Sequence, residues 1–224
     1  MAAPQLQPPE LEWVRPPRQA RSHLTLGRLL DAAEGLLAEK RWEDASVAEI
    51  AKRAGSSVGA FYARFRDKDA LLSALHERFI EEAMATADFA MSAQRWEKAS
   101  ITEVVRELVA FQVRIQDQRA GLLRAIALRG AESDEFRIRS LRGARHIEDL
   151  FTRLVVARRH EILHPVPVVA AAFAARLVAG VMLQRLLFPQ PTSNETPVVS
   201  LVEELTHAAL AYLGVFPEDA IDAY

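Results

Sequence analysis

"AGSSVGAFYARF", residues 54–65, is the most informative short stretch of this 224-residue chain. Gly55 is followed by Ser57, a residue type that caps helix starts by accepting a backbone N–H bond. Phe61 and Phe65 stand four apart, so a helix puts both on one face, where they can enter a core. Between cap and aromatics lie only Val58, Gly59 and Ala60. The outward face of this short helix is almost bare.

Ser46 and Glu49 upstream have capping-box spacing and start a helix that buries Val47, Ile50 and Ala51 and stops at Gly55. Leu26, Leu30, Ala33 and Leu37 share a face of an earlier helix, and Asp67 caps a later one carrying Leu71, Leu75 and Phe79. Two short helices joined by a glycine turn, the second of them capped, form a helix-turn-helix, whose second helix enters the DNA major groove. Small side chains at Ser57, Val58, Gly59 and Ala60 are then a clearance that lets the helix approach base edges. The N–H groups at its start, the hydroxyl of Tyr62 and the ammonium of Lys68 are candidates for phosphate. The same spacing also fits an ordinary helical corner in which the aromatics are core and Lys68 is solvated.

Beyond residue 85 the helices lengthen. Ser100 and Glu103 form a second capping box ahead of Ile101, Val104, Leu108, Phe111 and Ile115. An arginine-rich segment runs from Glu132 to His160, an apolar helix follows Pro165, and a last helix carries Val198, Val202, Leu205 and Ala209 after a proline-containing loop. No alternating run long enough for a strand occurs, so the expected fold is all-α: an N-terminal helix-turn-helix domain of three helices and a C-terminal antiparallel helical bundle. The expected divisions are a leader at 1–20, the DNA-binding domain at 21–84 and a second domain at 85–217.

Composition narrows the function classes. Half the residues are apolar and none is cysteine, so a sizeable core is expected without disulfides, thiolate nucleophiles or cysteine-rich metal sites. The first residues mix prolines and charges where a secretory signal needs an apolar run, which points to the cytoplasm. Arg176 interrupts the apolar stretch 166–183 and Pro167 opens it, so a buried helix is expected there rather than a membrane span. The net charge is −2, yet Arg15, Arg18, Arg21 and Arg28 form a local basic patch. A basic arm reaching a minor groove and a disordered tail both fit the first three.

"HEILH", His160 to His164, satisfies H-E-x-x-H, the spacing of a zinc hydrolase. Pro165 follows at once, two arginines precede it and no third ligand is indicated. The expectation is a chance match at a helix end, with no metal, no cofactor and no catalysis; the enzyme alternative rests on His160 and His164 alone.

Residues 28–72 resemble the DNA-binding region of the TetR family of bacterial transcriptional regulators. The resemblance lies in "LDAA" of the first helix, Trp42, "SVAEIAKRAG", the S-x-G-x-F-Y-x-x-F pattern from Ser57, and "DKDALL" opening the fourth helix. It implies positioning roles for Ser46, Tyr62 and Lys68, and base-facing roles for Ser57, Val58, Ala60 and Ala63. There are departures. Many members have glycine where Arg41 stands, so strain is expected in that turn. Members also carry basic or polar residues near Val58 and at Ala63, and threonine at Ala60, so readout here falls to thymine methyls and DNA shape.

The resemblance further implies a homodimeric, ligand-responsive repressor, its last two long helices pairing across a two-fold axis, although both fit an intrachain core as well. Its partners are then a double-stranded operator and a largely apolar small-molecule effector. The inward positions expected to line an effector cavity are Phe111, Ile115, Phe151 and Phe173, with Arg124 and His146 as polar groups. A helical adaptor whose helix-turn-helix no longer binds DNA is a further alternative.

Overall fold

The computed structural model describes residues 20–189 and 198–216, and no strand occurs among them. The fold is all-α. Its helices are α1 (Ala20–Leu37), α2 (Val47–Arg53), α3 (Val58–Tyr62), α4 (Lys68–Ala90), α5 (Ile101–Gln118), α6 (Ala120–Glu132), α7 (Asp134–Val156), α8 (Pro167–Leu187) and α9 (Val198–Leu213). Arg15 and Arg18 of the expected basic arm, and the side chain of Arg21, lie outside the described residues.

The chain divides into two compact units, and the division is discontinuous: residues 1–82 with 121–140, and residues 83–120 with 141–224. The first unit is centred on Leu29, Ile50, Phe61, Phe65, Leu71 and Leu75, all fully buried. Leu122, Ile126 and Phe136 belong to this same core. The chain thus leaves the helix-turn-helix unit after residue 82 and returns to it for twenty residues. At the return, α6 meets the end of α1 so closely that a Cβ on Gly121 would sit 1.7 Å from the Leu37 carbonyl oxygen. Only glycine fits there.

The second unit is built on α5, α8 and α9, with α9 packed against both of the others. Ser100 and Glu103 close their capping box as the spacing predicts. The buried stripe of α5 is rotated from the one expected, however. Val105, Val109, Val113 and Gln116 enter the core, whereas Leu108, Phe111 and Ile115 are half-buried. The face of α8 in the core carries Ala170, Ala171 and Ala174, small side chains of the kind that let helices approach closely.

By length and composition α8 could cross a membrane. It is buried on one face only, with 28% of its apolar window inside the second unit, so the fully buried helix expected there is not what the structure shows. Besides the alanines it buries Val178, Met182 and Leu186, while Arg176 pairs with Glu148 at 2.7 Å and Arg185 with Asp117 at 2.8 Å.

The H-E-x-x-H stretch is not an α-helix. Arg159–Glu161 is a single 3₁₀ turn and Ile162 is extended, so His160 and His164 do not stack one turn apart. Glu161 accepts the backbone N–H of Ile101, and His164 accepts from Val166 and lies against Tyr212. No cluster able to hold a metal occurs among the described residues.

Candidate nucleic-acid interface

The helix-turn-helix is assembled by caps and ion pairs. Ser46 Oγ accepts the Glu49 N–H while the Glu49 carboxylate accepts the Ser46 N–H, closing the box at the start of α2. Lys40 adds a 2.7 Å ion pair to Glu49. These contacts, that from Lys40 first, lower the Glu49 pKa to about 2, so the box stays ionised well into acid. Gly55 then takes a left-handed conformation at φ +59. It turns the chain into Ser57, whose Oγ accepts the Ala60 N–H at 3.1 Å. Asp67 caps α4 in the same manner, through the Ala70 N–H.

Phe61 and Phe65 hold α3 from behind, both fully buried, with ring centroids 5.5 Å apart. Ser57, Val58, Gly59, Tyr62 and Ala63 are exposed, and Ala60 is half-buried. The structure therefore brings the expected base-facing residues together on one open face. Tyr62 packs edge-on to Phe61 at 5.3 Å and remains half exposed.

Lys68 departs from expectation. Its ammonium donates to the carbonyls of Trp42 (2.7 Å), Ala45 (2.8 Å) and Glu43 (3.3 Å) and lies 5.1 Å from the Trp42 ring centroid. An ammonium has three N–H donors and all three are engaged. In this conformation Lys68 closes the loop between α1 and α2, with its donors turned to carbonyls rather than to solvent. Lys68→Met is expected to lower stability by about 2 kcal/mol, the scale of hydrogen bonds to a charged group, and to weaken all DNA sequences alike. The salt dependence of binding separates the two roles. Loss of a phosphate contact flattens the log–log slope by about one unit, whereas loss of a loop brace leaves the slope unchanged.

The strain expected at Arg41 is absent. No residue other than glycine has positive φ among the described residues, and Arg41 lies exposed beside Asp44 and Glu43. The loop lets the chain turn without a left-handed residue there.

Several residues that hold the site together escaped the sequence reading. Arg78 of α4 binds Asp31 (2.6 Å) and Glu34 (2.8 Å) of α1, Arg53 of α2 binds Glu39 (2.6 Å), and Arg129 of α6 binds Asp69 (2.7 Å). Their partners lie 14 to 60 residues away, beyond any local spacing signal.

The residues expected around an effector are not brought together as a set. Phe151 is buried in the second core, whereas Phe173 is 47% exposed and rests on Tyr212, with centroids 4.7 Å apart. Arg124 belongs to the first unit and His146 pairs with Asp88 at 2.8 Å. A groove of about 810 Å³ in the second unit is lined instead by residues such as Met91, Lys98, Leu150, Arg153 and Leu154. None of the six lines it.

Residues 29–75 match the family model described as "Bacterial regulatory proteins, tetR family". Over 57 residues the chain is 35% identical to YvdT of Bacillus subtilis (strain 168), described as an uncharacterized HTH-type transcriptional regulator. That alignment spans 25% of this chain and 29% of the relative's length. The fold as a whole is similar to that of a TetR-family regulator from Mesorhizobium loti MAFF303099, with a TM-score of 0.70 at 17% identity over 88% of this chain and 98% of the other. FadR from Bacillus subtilis, in complex with stearoyl-CoA, gives 0.62 at 18% identity over 83% and 98%.

Proposed function

We infer, from a helix-turn-helix region that belongs to the tetR family of bacterial regulatory proteins, that this chain is a cytoplasmic DNA-binding transcriptional regulator. The observation that carries the reading is the exposed face of α3, capped at Ser57 and backed by Phe61 and Phe65, in a unit whose caps and ion pairs hold α2 and α3 in place. In this reading Ser57, Val58, Gly59, Ala60 and Ala63 face bases and Tyr62 binds phosphate, while Ser46 fixes α2 through its cap.

The regulator acts as a homodimer through α8 and α9. Val168, Val169, Phe173, Val181 and Leu183 of α8 and Tyr212 of α9 are exposed apolar side chains, a surface suited to a second copy. A two-fold dimer supplies two α3 helices for half-sites about 34 Å apart. The protein represses, and a largely apolar effector entering the second unit releases it. A similar fold holding an acyl-CoA supports that chemical class. To empty a nearly full operator the effector must prefer the released conformer by about 5.5 kcal/mol.

The test is a gel shift with DNA flanking the protein's own coding region, run with sedimentation analysis of the free protein. A discrete shifted complex and a dimer of twice 25.0 kDa are expected. A dimer that shifts no DNA supports the adaptor alternative, and a monomer overturns the assembly.

A further inference from the structure

Among the described residues two arginines are buried, and their surroundings differ. Arg139 of the first unit is ion-paired with Glu77 and Glu135. Arg158 of the second unit, 7% exposed, donates to the carbonyls of Ala99 (2.7 Å), Leu154 (2.9 Å) and Trp96. No carboxylate pairs with it among the described residues. A guanidinium stays charged in a protein, and a buried charge is ordinarily paired. Neutral carbonyls engage three of its five N–H groups and leave the charge itself unbalanced.

Arg158 lines the groove of about 810 Å³ in the second unit, a volume in the range that holds small organic ligands. Lys98 and Arg153 line it too, both exposed and without an acidic partner among the described residues. Two of the acids on its wall are already engaged: Asp88 pairs with His146 at 2.8 Å, and Glu161 accepts the Ile101 N–H at 2.9 Å. That leaves Glu97 against three cations. A concave wall concentrates the field of such a cluster and favours an anion there. The groove also has an apolar side, Met91, Leu150 and Leu154, whose side chains belong to the second core. A carboxylate with an apolar chain satisfies both halves, since its two oxygens match the planar fork of an arginine and its chain covers apolar surface.

We propose that this groove binds a carboxylate carrying an apolar chain, its head on Arg153 and Lys98, where the buried charge of Arg158 adds to theirs, and its chain along Met91, Leu150 and Leu154. The inference rests on the effector reading of the second unit and adds to it the place and the chemical class of the ligand.

Titration calorimetry of the full-length protein with hexanoate, octanoate and decanoate, and with the alcohols of the same chain lengths, tests the site. At least one carboxylate is expected to bind about tenfold more tightly than its alcohol, the scale of hydrogen bonds to a charged group. Arg153→Gln is expected to remove most of that preference and Lys98→Gln part of it. Neither side chain has a partner to lose, so both variants should melt with the parent and bind the alcohols as it does. No carboxylate binding, alcohols that bind as tightly as the acids, or two variants that bind carboxylate like the parent overturns the inference and leaves the DNA-binding reading standing. The gel shift repeated with the bound carboxylate separates the site from its role. Release of the DNA is expected, and an unchanged shift overturns the assignment of this ligand as the effector.

Discussion

Replacing Gly121 by valine is expected to destabilise the protein by about 3 kcal/mol, lowering its melting temperature by roughly 6–12 °C in a chain of this size. The cause is steric. The new Cβ would lie 1.7 Å from the Leu37 carbonyl oxygen and 2.6 Å from its carbon, and these are backbone atoms at the end of α1 that cannot rotate away. Either α6 lifts from α1, taking Leu122 and Ile126 out of the first core, or α1 frays at its last turn. Both routes loosen the support of α2, which packs on α1. On the DNA-binding reading proposed above, affinity should therefore fall with stability, although residue 121 is far in sequence from α3. Gly130, where an added Cβ meets nothing within 4 Å, supplies the control on the same helix. Gly130→Ala should fold at least as well as the parent. Thermal melts of the two variants side by side check the claim, and equal melting temperatures would refute the contact.

Arg139→Met should have an effect at least as large, about 3–5 kcal/mol, because it breaks a buried ion pair by removing one member. The Arg139 side chain is 9% exposed and that of Glu77 7%, and Nε of the first lies 2.7 Å from Oε2 of the second. The same guanidinium reaches the Glu135 carboxylate at 2.7 Å, the Ser73 carbonyl at 3.4 Å and His76 Nδ1 at 3.4 Å. Guanidinium nitrogens only donate, so the Nδ1 of His76 accepts and its Nε2–H donates to the Ser140 hydroxyl, 3.1 Å away. The imidazole stacks on Phe136 with centroids 4.9 Å apart. A planar fork is what lets one side chain serve these partners at once, so Arg139→Lys should recover less than half of the loss. Full recovery by lysine would show that charge alone matters. Urea denaturation of the three proteins measures the difference.

The local chemistry of the chain was the part legible from sequence. Ser46, Ser57, Asp67 and Ser100 cap where their spacing says they should, because a cap is settled within three or four residues. Phe61 and Phe65 were placed correctly for the same reason: a one-turn interval fixes a shared face. What failed depended on distant partners. Lys68 reads as a free cation unless one knows that the carbonyls of residues 42, 43 and 45 converge on it. The α5 stripe was misread because the choice between two adjacent apolar rows, one of leucine and phenylalanine and one of valine, is made by the helix it packs against, α9, which lies about a hundred residues further along the chain. Phe173 was expected inward as one of the large apolar residues of the amphipathic second-domain helices, and it stands 47% exposed beside Tyr212. No periodicity within residues 120–140 announces that this segment completes the core of the first unit.

That return of the chain bears on how such proteins can be recombined. A graft that joins residues 1–84 of this chain to the remainder of another chain of the same fold takes the linear order of the chain for the order of its parts. Residues 121–140 would then arrive from the donor, bringing a foreign side chain to the seat that Gly121 occupies against Leu37 and foreign partners to Asp69 and Glu77. The compact unit is 1–82 together with 121–140. A hybrid that keeps this unit whole therefore needs three junctions, at 82/83, 120/121 and 140/141.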